Sequence, residues 1–254
     1  MDKQSEFERF KNLSFDDFRS LALDPSLSIY QKIGFPDDYR KGKEEDIFRD
    51  ITTKLDMNDS LSKKTLLDIG PGCSELPLKI LHYCSSHEFE TLFVDSKEML
   101  DQLPVLPNLK KIPGYFPDDT PTLVNDYSGK IDFIIAYSIF HYVFYNTCIF
   151  KFLDTAVSLL KPGGKLLLGD IPNISKRKRF FSTEEGVHYH QNFTQTDSLH
   201  EISNFKLEPT HIDDGVIMSI IQRYRGFGFE TYLLPQNQSL PMYNRREDLL
   251  IVRI

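Results

Sequence analysis

The chain has 254 residues, 40% of them hydrophobic, enough for a full-size core in one main domain with an appendage. Its formal net charge of -7, from 37 acidic against 30 basic residues, disfavours non-specific binding to nucleic acid, so no nucleic-acid partner is expected. Cys73, Cys84 and Cys148 lack paired-ligand spacing, no apolar run is long enough to span a membrane, and the charged N-terminus does not read as a signal peptide. A cytoplasmic protein with no membrane partner is expected, and nothing in the composition sets an oligomeric state.

Residues 1–62 read as a helical cap. Phe7, Phe10, Leu13, Phe18 and Leu21 recur at helical spacing, Asp16 and Asp17 start a helix after Ser14, and Asp24-Pro25 stops it. Ile29–Arg40 reads as a loop, because Gly34 and Pro36 both interrupt regular structure. It is either a connector or a lid in which Tyr30, Tyr39 and Arg40 contact an anionic substrate. Lys43–Leu55 is a helix with Ile47, Ile51 and Leu55 on one face.

From Lys63 the pattern becomes an alternation of short apolar runs and amphipathic helices. Strands are predicted at Thr65–Ile69, Thr91–Val94, Lys110–Ile112, Ile131–Tyr137 and Lys165–Gly169, with helices at Leu76–Tyr83, Lys97–Leu103 and Phe150–Leu160. Such alternation implies a doubly wound parallel sheet. Val216–Tyr224 is a further helix, followed by strands at Phe229–Leu234 and Asp248–Ile254 with no helix between them. Strands so connected form an antiparallel pair.

The stretch Leu66–Glu75, L-L-D-I-G-P-G-C-S-E, places two glycines between a strand and a helix start. There the backbone can approach a ligand closely, with helix N-terminal N–H groups aimed at it. This motif, Asp95 closing the second strand, Phe140–Tyr142 after the fourth, L-K-P-G-G-K before the fifth and the terminal hairpin together resemble a class I S-adenosylmethionine-dependent methyltransferase. The resemblance covers about residues 62–254. It implies a Rossmann-like seven-stranded α/β sheet whose seventh strand lies antiparallel beside the fifth. The expected organisation is therefore a cap at 1–62 and a methyltransferase domain at 63–254, with a substrate insertion at about 170–215.

The resemblance also implies S-adenosylmethionine as cofactor, with Asp68, Gly70, Pro71, Gly72, Ser74, Asp95, Ser96, Met99, Tyr115, Phe116 and Tyr137 around it. Asp95 is suited to both ribose hydroxyls, or alternatively to capping the helix at Ser96. Met99 suits either the adenine or the core. Ser74 stands where the family commonly has a third glycine, and Gly114-Tyr115-Phe116 where it often has an acidic residue for the adenine amino group.

An oxygen acceptor benefits from a base, for which His141, Tyr137 at the strand end and His190 are the candidates; packing without proton transfer is the other role open to His141. On the substrate side stand Asp170 and the basic run Lys176–Arg179, either a solvated face or an anion clamp in which Arg177 and Arg179 join Arg40 and Arg245 or Arg246. His188 and His190 lack a third ligand at metal spacing, so no metal is expected. The implied activity is O-methylation of a small-molecule acceptor that is anionic: phosphorylated, phosphoramidate or a nucleotide-linked sugar. Lys32–Arg40 and Leu66–Ser74 together resemble methyltransferases of bacterial surface-glycan, or capsule, biosynthesis. Two other classes remain open: a nicotinamide-dependent oxidoreductase, disfavoured by Glu75 where a dinucleotide loop needs glycine, and a methyltransferase-like protein that only binds a partner.

Overall fold

The computed structural model describes residues 10, 13–57, 63–202, 206 and 208–254; Phe7, expected in the first helix, lies outside them. Among the described residues, the first elements are the helices α1 (Phe15–Leu23), α2 (Ile29–Lys32), α3 (Asp37–Arg40) and α4 (Glu44–Leu55). The alternating region follows as β1 (Thr65–Ile69), α5 (Glu75–Ser86), β2 (Glu90–Asp95), α6 (Lys97–Leu100), β3 (Leu109–Pro113), α7 (Pro121–Tyr127) and β4 (Ile131–Tyr137). Then come α8 (Phe140–Asn146), α9 (Ile149–Leu159), β5 (Leu160–Pro172), α10 (Ile174–Phe181), α11 (Glu184–Thr194), α12 (Asp214–Gly226), β6 (Phe229–Pro235) and β7 (Arg246–Arg253).

The strands form one seven-stranded sheet in the order β3-β2-β1-β4-β5-β7-β6. β1 to β5 pair in parallel, while β7 runs antiparallel to both β5 and β6. Order reverses at β1, from which the chain winds outward first to β2 and β3 and then to β4 and β5. Ligands in open sheets of this kind bind beyond the carboxyl ends of the strands at such a switch point.

Successive strand residues face opposite sides, and the core divides accordingly. Leu67, Ile69, Ile134, Ala136, Leu166 and Leu168 pack with α8, α9 and α12 on one face. Leu66, Phe133, Ile135 and Leu167 pack with α4 and α5 on the other. Every residue of β4 is buried, as expected of a central strand covered on both sides. Ile47, Ile51 and Leu55 of α4 are fully buried within the second cluster, so this helix helps to close the sheet.

The structure departs from the predicted elements or adds to them, α7, α8 and α11 being additions. Ile29–Arg40 is not a plain loop: Ser28 caps α2 in a reciprocal box with Gln31, and α3 starts after Pro36. The helix predicted over Lys97–Leu103 ends at Leu100. β5 begins at Leu160 rather than Lys165, with an irregularity in its pairing to β4 that absorbs Lys161–Gly164. The basic run Lys176–Arg179 is helical, in α10, whose N-terminus is capped by Asn173 through the amides of Ser175 and Lys176 at 2.9 and 3.2 Å.

Ile51→Ala tests whether α4 belongs to the cooperative core. We expect a loss of about 2–5 kcal/mol in urea unfolding at unchanged m-value. A loss well under about 1 kcal/mol would mean that α4 is not packed as described.

Candidate active site

The loop after β1 is built around two left-handed glycines. Gly70 and Gly72 have φ of 74° and 68°. A Cβ on Gly70 would stand 2.7 Å from Ile139 Cγ2, and one on Gly72 2.6 Å from Ile33 Cγ2. Conformation and space therefore both demand glycine. The amide of Gly70 donates to the Val94 carbonyl at 2.8 Å, which ties the loop to the end of β2.

Asp95 holds the other side of this loop. One carboxylate oxygen accepts from the Gly72 amide at 2.9 Å, and the other from the Ser96 amide at 2.6 Å. Ser96 itself caps α6, its hydroxyl accepting from the Met99 amide at 3.2 Å. Burial pushes the Asp95 carboxyl up to about 6 against these two amide bonds. Asp68 is buried nearby, and burial, with the Asp95 charge second, raises it well above the ordinary carboxylate range.

Both aspartates face one large cavity at the carboxyl ends of β1, β2 and β4, about 1040 Å³ counted out to the solvent at its mouth. Of the residues expected around a cofactor, Asp68, Gly70, Pro71, Gly72, Asp95, Met99, Tyr115, Phe116 and Tyr137 line it. Ser74 and Ser96 do not. Ser74 precedes α5 in an extended conformation, and its buried hydroxyl finds no partner among the described residues. Not legible from the sequence is that Phe15, Phe18, Ile33 and Phe35 of the N-terminal helices and their connections close the apolar side of this cavity.

A smaller cavity of about 240 Å³ adjoins the first and shares Phe35, Arg40 and Tyr137 with it. Tyr39, Asp170, Pro241 and Met242 complete its wall together with Ile47. Arg40 is only 4% exposed. Its Nε donates to Glu44 Oε1 at 3.0 Å and its Nη1 to the Ser138 hydroxyl at 3.3 Å, which in turn donates to Asp170 Oδ2 at 2.7 Å. The Asp170 amide donates to Asp248 Oδ1 at 2.7 Å, and Asp248 pairs with Lys54 at 2.6 Å. Ser138 and Asp170 both adopt left-handed backbone, with φ of 61° and 57°. For a serine this is a strained conformation of the sort that collects at functional sites. None of Glu44, Ser138, Lys54 and Asp248 stood out in the sequence, since they are spread over α4, the end of β4 and β7 and no motif joins them.

The remaining expected residues are scattered. His141 lies on α8 outside the lining of both cavities, with its Nδ1 buried and unpartnered; burial first, then the Arg246 charge, pushes its imidazole down to about 3. Such a ring stays neutral and is a poor base near neutrality. Tyr137 is buried between the cavities, its phenol held well above its ordinary value by burial and then by Asp170. Tyr30 is buried away from both cavities, pushed up to about 12 by burial and the neighbouring Glu75. His190 packs on α11 against Phe181 and His200. Arg179 is paired with Asp214 at 2.5 Å, whereas Arg177 and Arg245 both lie over the Phe181 ring.

No family model and no curated protein matches the chain. Solved structures do. The plantazolicin methyltransferase BpumL, in complex with a triazolic desmethylPZN analog and SAH, shares 11% identity over 98% of this chain and 99% of its own, with a TM-score of 0.57. The CurJ carbon methyltransferase shares 16% identity over 98% of this chain and 67% of its own, with a TM-score of 0.54. A methyltransferase in complex with the Trm112 activator of Haloferax volcanii shares 14% identity over 93% and 97%, with a TM-score of 0.52. The chain has the fold of these methyltransferases. Among the described residues, no helix is long and apolar enough to cross a membrane.

Asp95 makes a pH prediction with a definite sign. Between about 3.8 and about 6 the folded chain keeps a proton that the unfolded chain has released, so stability falls as pH rises through that window. In Asp95→Asn the decline should be shallower, measured as urea unfolding free energy across the same interval. Identical slopes for the two proteins would show that Asp95 is not buried as described.

Proposed function

We propose that this chain is an S-adenosylmethionine-dependent methyltransferase acting on a small anionic acceptor. The observation that carries the reading is the pairing of the Gly70–Gly72 cradle with two buried carboxylates, Asp68 and Asp95, on one cavity wall. That wall suits a ligand offering hydroxyls and a cation: Asp95 would hold the ribose hydroxyls, the glycine loop the methionyl end, and Met99, Tyr115 and Phe116 the adenine. The fold shared with methyltransferases, one of them in complex with SAH, supports the same cofactor. Bound there, S-adenosylmethionine supplies an electrophilic methyl group on its sulfonium.

The smaller cavity is the acceptor side of this reading. Tyr137 and Arg40 stand at the boundary between the two spaces, and Asp170 is the carboxylate that an acceptor hydroxyl would meet. Asp170 rather than His141 or His190 then takes the acceptor's proton. The Ser138 hydroxyl fixes one of its oxygens, and Arg246 Nε stands 3.7 Å from the other. Much of the rate in such a displacement comes from holding the partners in line. The surface-glycan setting rests on the resemblance at Lys32–Arg40 and Leu66–Ser74.

Titration calorimetry with S-adenosylhomocysteine tests the donor side. Saturable heat is expected, and Asp95→Ala should abolish it; no heat from the wild type, with saturable binding of NADPH instead, would sink the reading. On the acceptor side, Asp170→Asn keeps a residue that tolerates left-handed backbone. We expect it to bind S-adenosylhomocysteine normally yet to slow methylation about 100-fold or more, followed by mass spectrometry as the gain of one methylene across phosphorylated and nucleotide-linked metabolites. Unchanged turnover would remove Asp170 from the proton-transfer role.

A further inference from the structure

The helix pair α10 and α11 and the β6–β7 connection gather basic groups around one ring. The guanidinium carbons of Arg177 and Arg245 each lie 5.7 Å from the centroid of Phe181. The His200 ring stands 4.1 Å from the same centroid and that of His190 6.2 Å, with 5.2 Å between the two imidazoles. Two guanidinium charges converge in this way at a cost unless something negative joins them.

The neighbours of these groups show how selective the deficit is. In the same basic run, Lys178 pairs with Glu208 at 2.7 Å and Arg179 with Asp214 at 2.5 Å, while Lys176 donates to the Arg246 carbonyl at 2.7 Å. Among the described residues, Arg177 and Arg245 make no ion pair with a carboxylate. Among the described residues, Arg245 Nη1 is buried without a hydrogen-bond partner, and its Nη2 reaches the Tyr189 hydroxyl at 3.4 Å. Glu208 is the acidic group that acts on Arg177, and Lys178 already occupies it. Burial comes first and the neighbouring cations second in the acidities of the cluster: Arg177 is lowered by partial burial and then by Arg245, and His200 is pushed down to about 4 by burial and then by Arg177, His190 and Arg245.

An aromatic path links this cluster to the smaller cavity. The Arg245 guanidinium lies 5.3 Å from the Tyr189 ring, Tyr189 stacks with Phe193, and Phe193 meets Tyr39, which lines the cavity. A guanidinium pair flanking an aromatic wall is suited to a planar or tetrahedral oxyanion, held by forked N–H donors.

We propose that Arg177 and Arg245 form an anion-binding site for the phosphate-type or carboxylate group of the acceptor, whose methylated atom lies in the smaller cavity beyond Tyr39. This rests on the acceptor side of the methyltransferase reading, but binding of an anion can be measured without it.

The probes are inorganic pyrophosphate and citrate, titrated into the full chain at low ionic strength and followed by calorimetry. Pyrophosphate should bind saturably at one site, weakened about 10-fold or more by Arg245→Gln and likewise by Arg177→Gln, an exposed position that supplies the second variant should the first fail to fold. Lys110→Gln, the same charge change on a surface lysine paired with Glu90, should alter it less than about 3-fold. Tighter binding of citrate than of pyrophosphate would assign the site to carboxylates, and the reverse to phosphates. No saturable binding of either probe, or equal weakening by Lys110→Gln, would overturn the site. Loss of S-adenosylhomocysteine heat with pyrophosphate binding intact would instead count against the methyltransferase reading and leave the anion site standing.

Discussion

A buried guanidinium at the carboxyl edge of the sheet holds the two halves of the site in place. Arg40 comes from the single-turn helix α3, yet its partners are Glu44 on α4 and Ser138 at the end of β4. Its ring neighbours are Phe35 and Tyr137, with centroids 5.2 and 5.6 Å away. One side chain thus ties the N-terminal helices to the central strand and forms the wall between the two cavities. Burying such a pair gains little over apolar packing, but removing one partner typically costs about 3–5 kcal/mol, because the other is left charged in a dry setting. Glu44 already shows that tension: burial raises its carboxyl against the lowering effect of Arg40, and its Oε2 has no partner among the described residues.

The same logic runs through the acidic groups. Asp68 and Asp95 are raised by burial, and no Lys or Arg acts on either among the described residues. Asp248, equally buried, is raised by burial as well, but Lys54, the Asp170 amide and Gln236 oppose the rise. Asp248 is thus met by a cation, whereas the two carboxylates at the large cavity have at most backbone amides beside them among the described residues. Carboxylates perturbed by burial on a cavity wall are the groups on which the proposed cofactor reading rests.

Charge in the α10–α11 region follows a parallel pattern on the basic side. Of four consecutive basic residues, Lys178 and Arg179 are spent on ion pairs and Lys176 on a backbone carbonyl, leaving Arg177 to share a ring with Arg245 from a distant connection. A run of like residues in sequence is thus not a run of like roles. Helical rotation sends neighbours about 100° apart, and each meets a different surface.

Local sequence was enough to set the alternation of strands and helices, the antiparallel terminal pair and the glycine loop with Asp95 at the next strand end. These are local: apolar periodicity, left-handed glycines and strand termini are written within a few residues of one another. It left Ile29–Arg40 as a loop because caps such as the Ser28 and Gln31 box are short signals beside Gly34 and Pro36. Only the tertiary structure decided which polar residues meet. Ser138, Asp170, Asp248 and Lys54 lie on separate elements brought together at the carboxyl end of the sheet, and His141 stands half-buried near the Arg246 charge, outside the lining of both cavities. Whether an arginine is free or neutralised, or a histidine basic or inert, depends on partners far away in the chain, and long-range proximity is the property that local pattern does not encode.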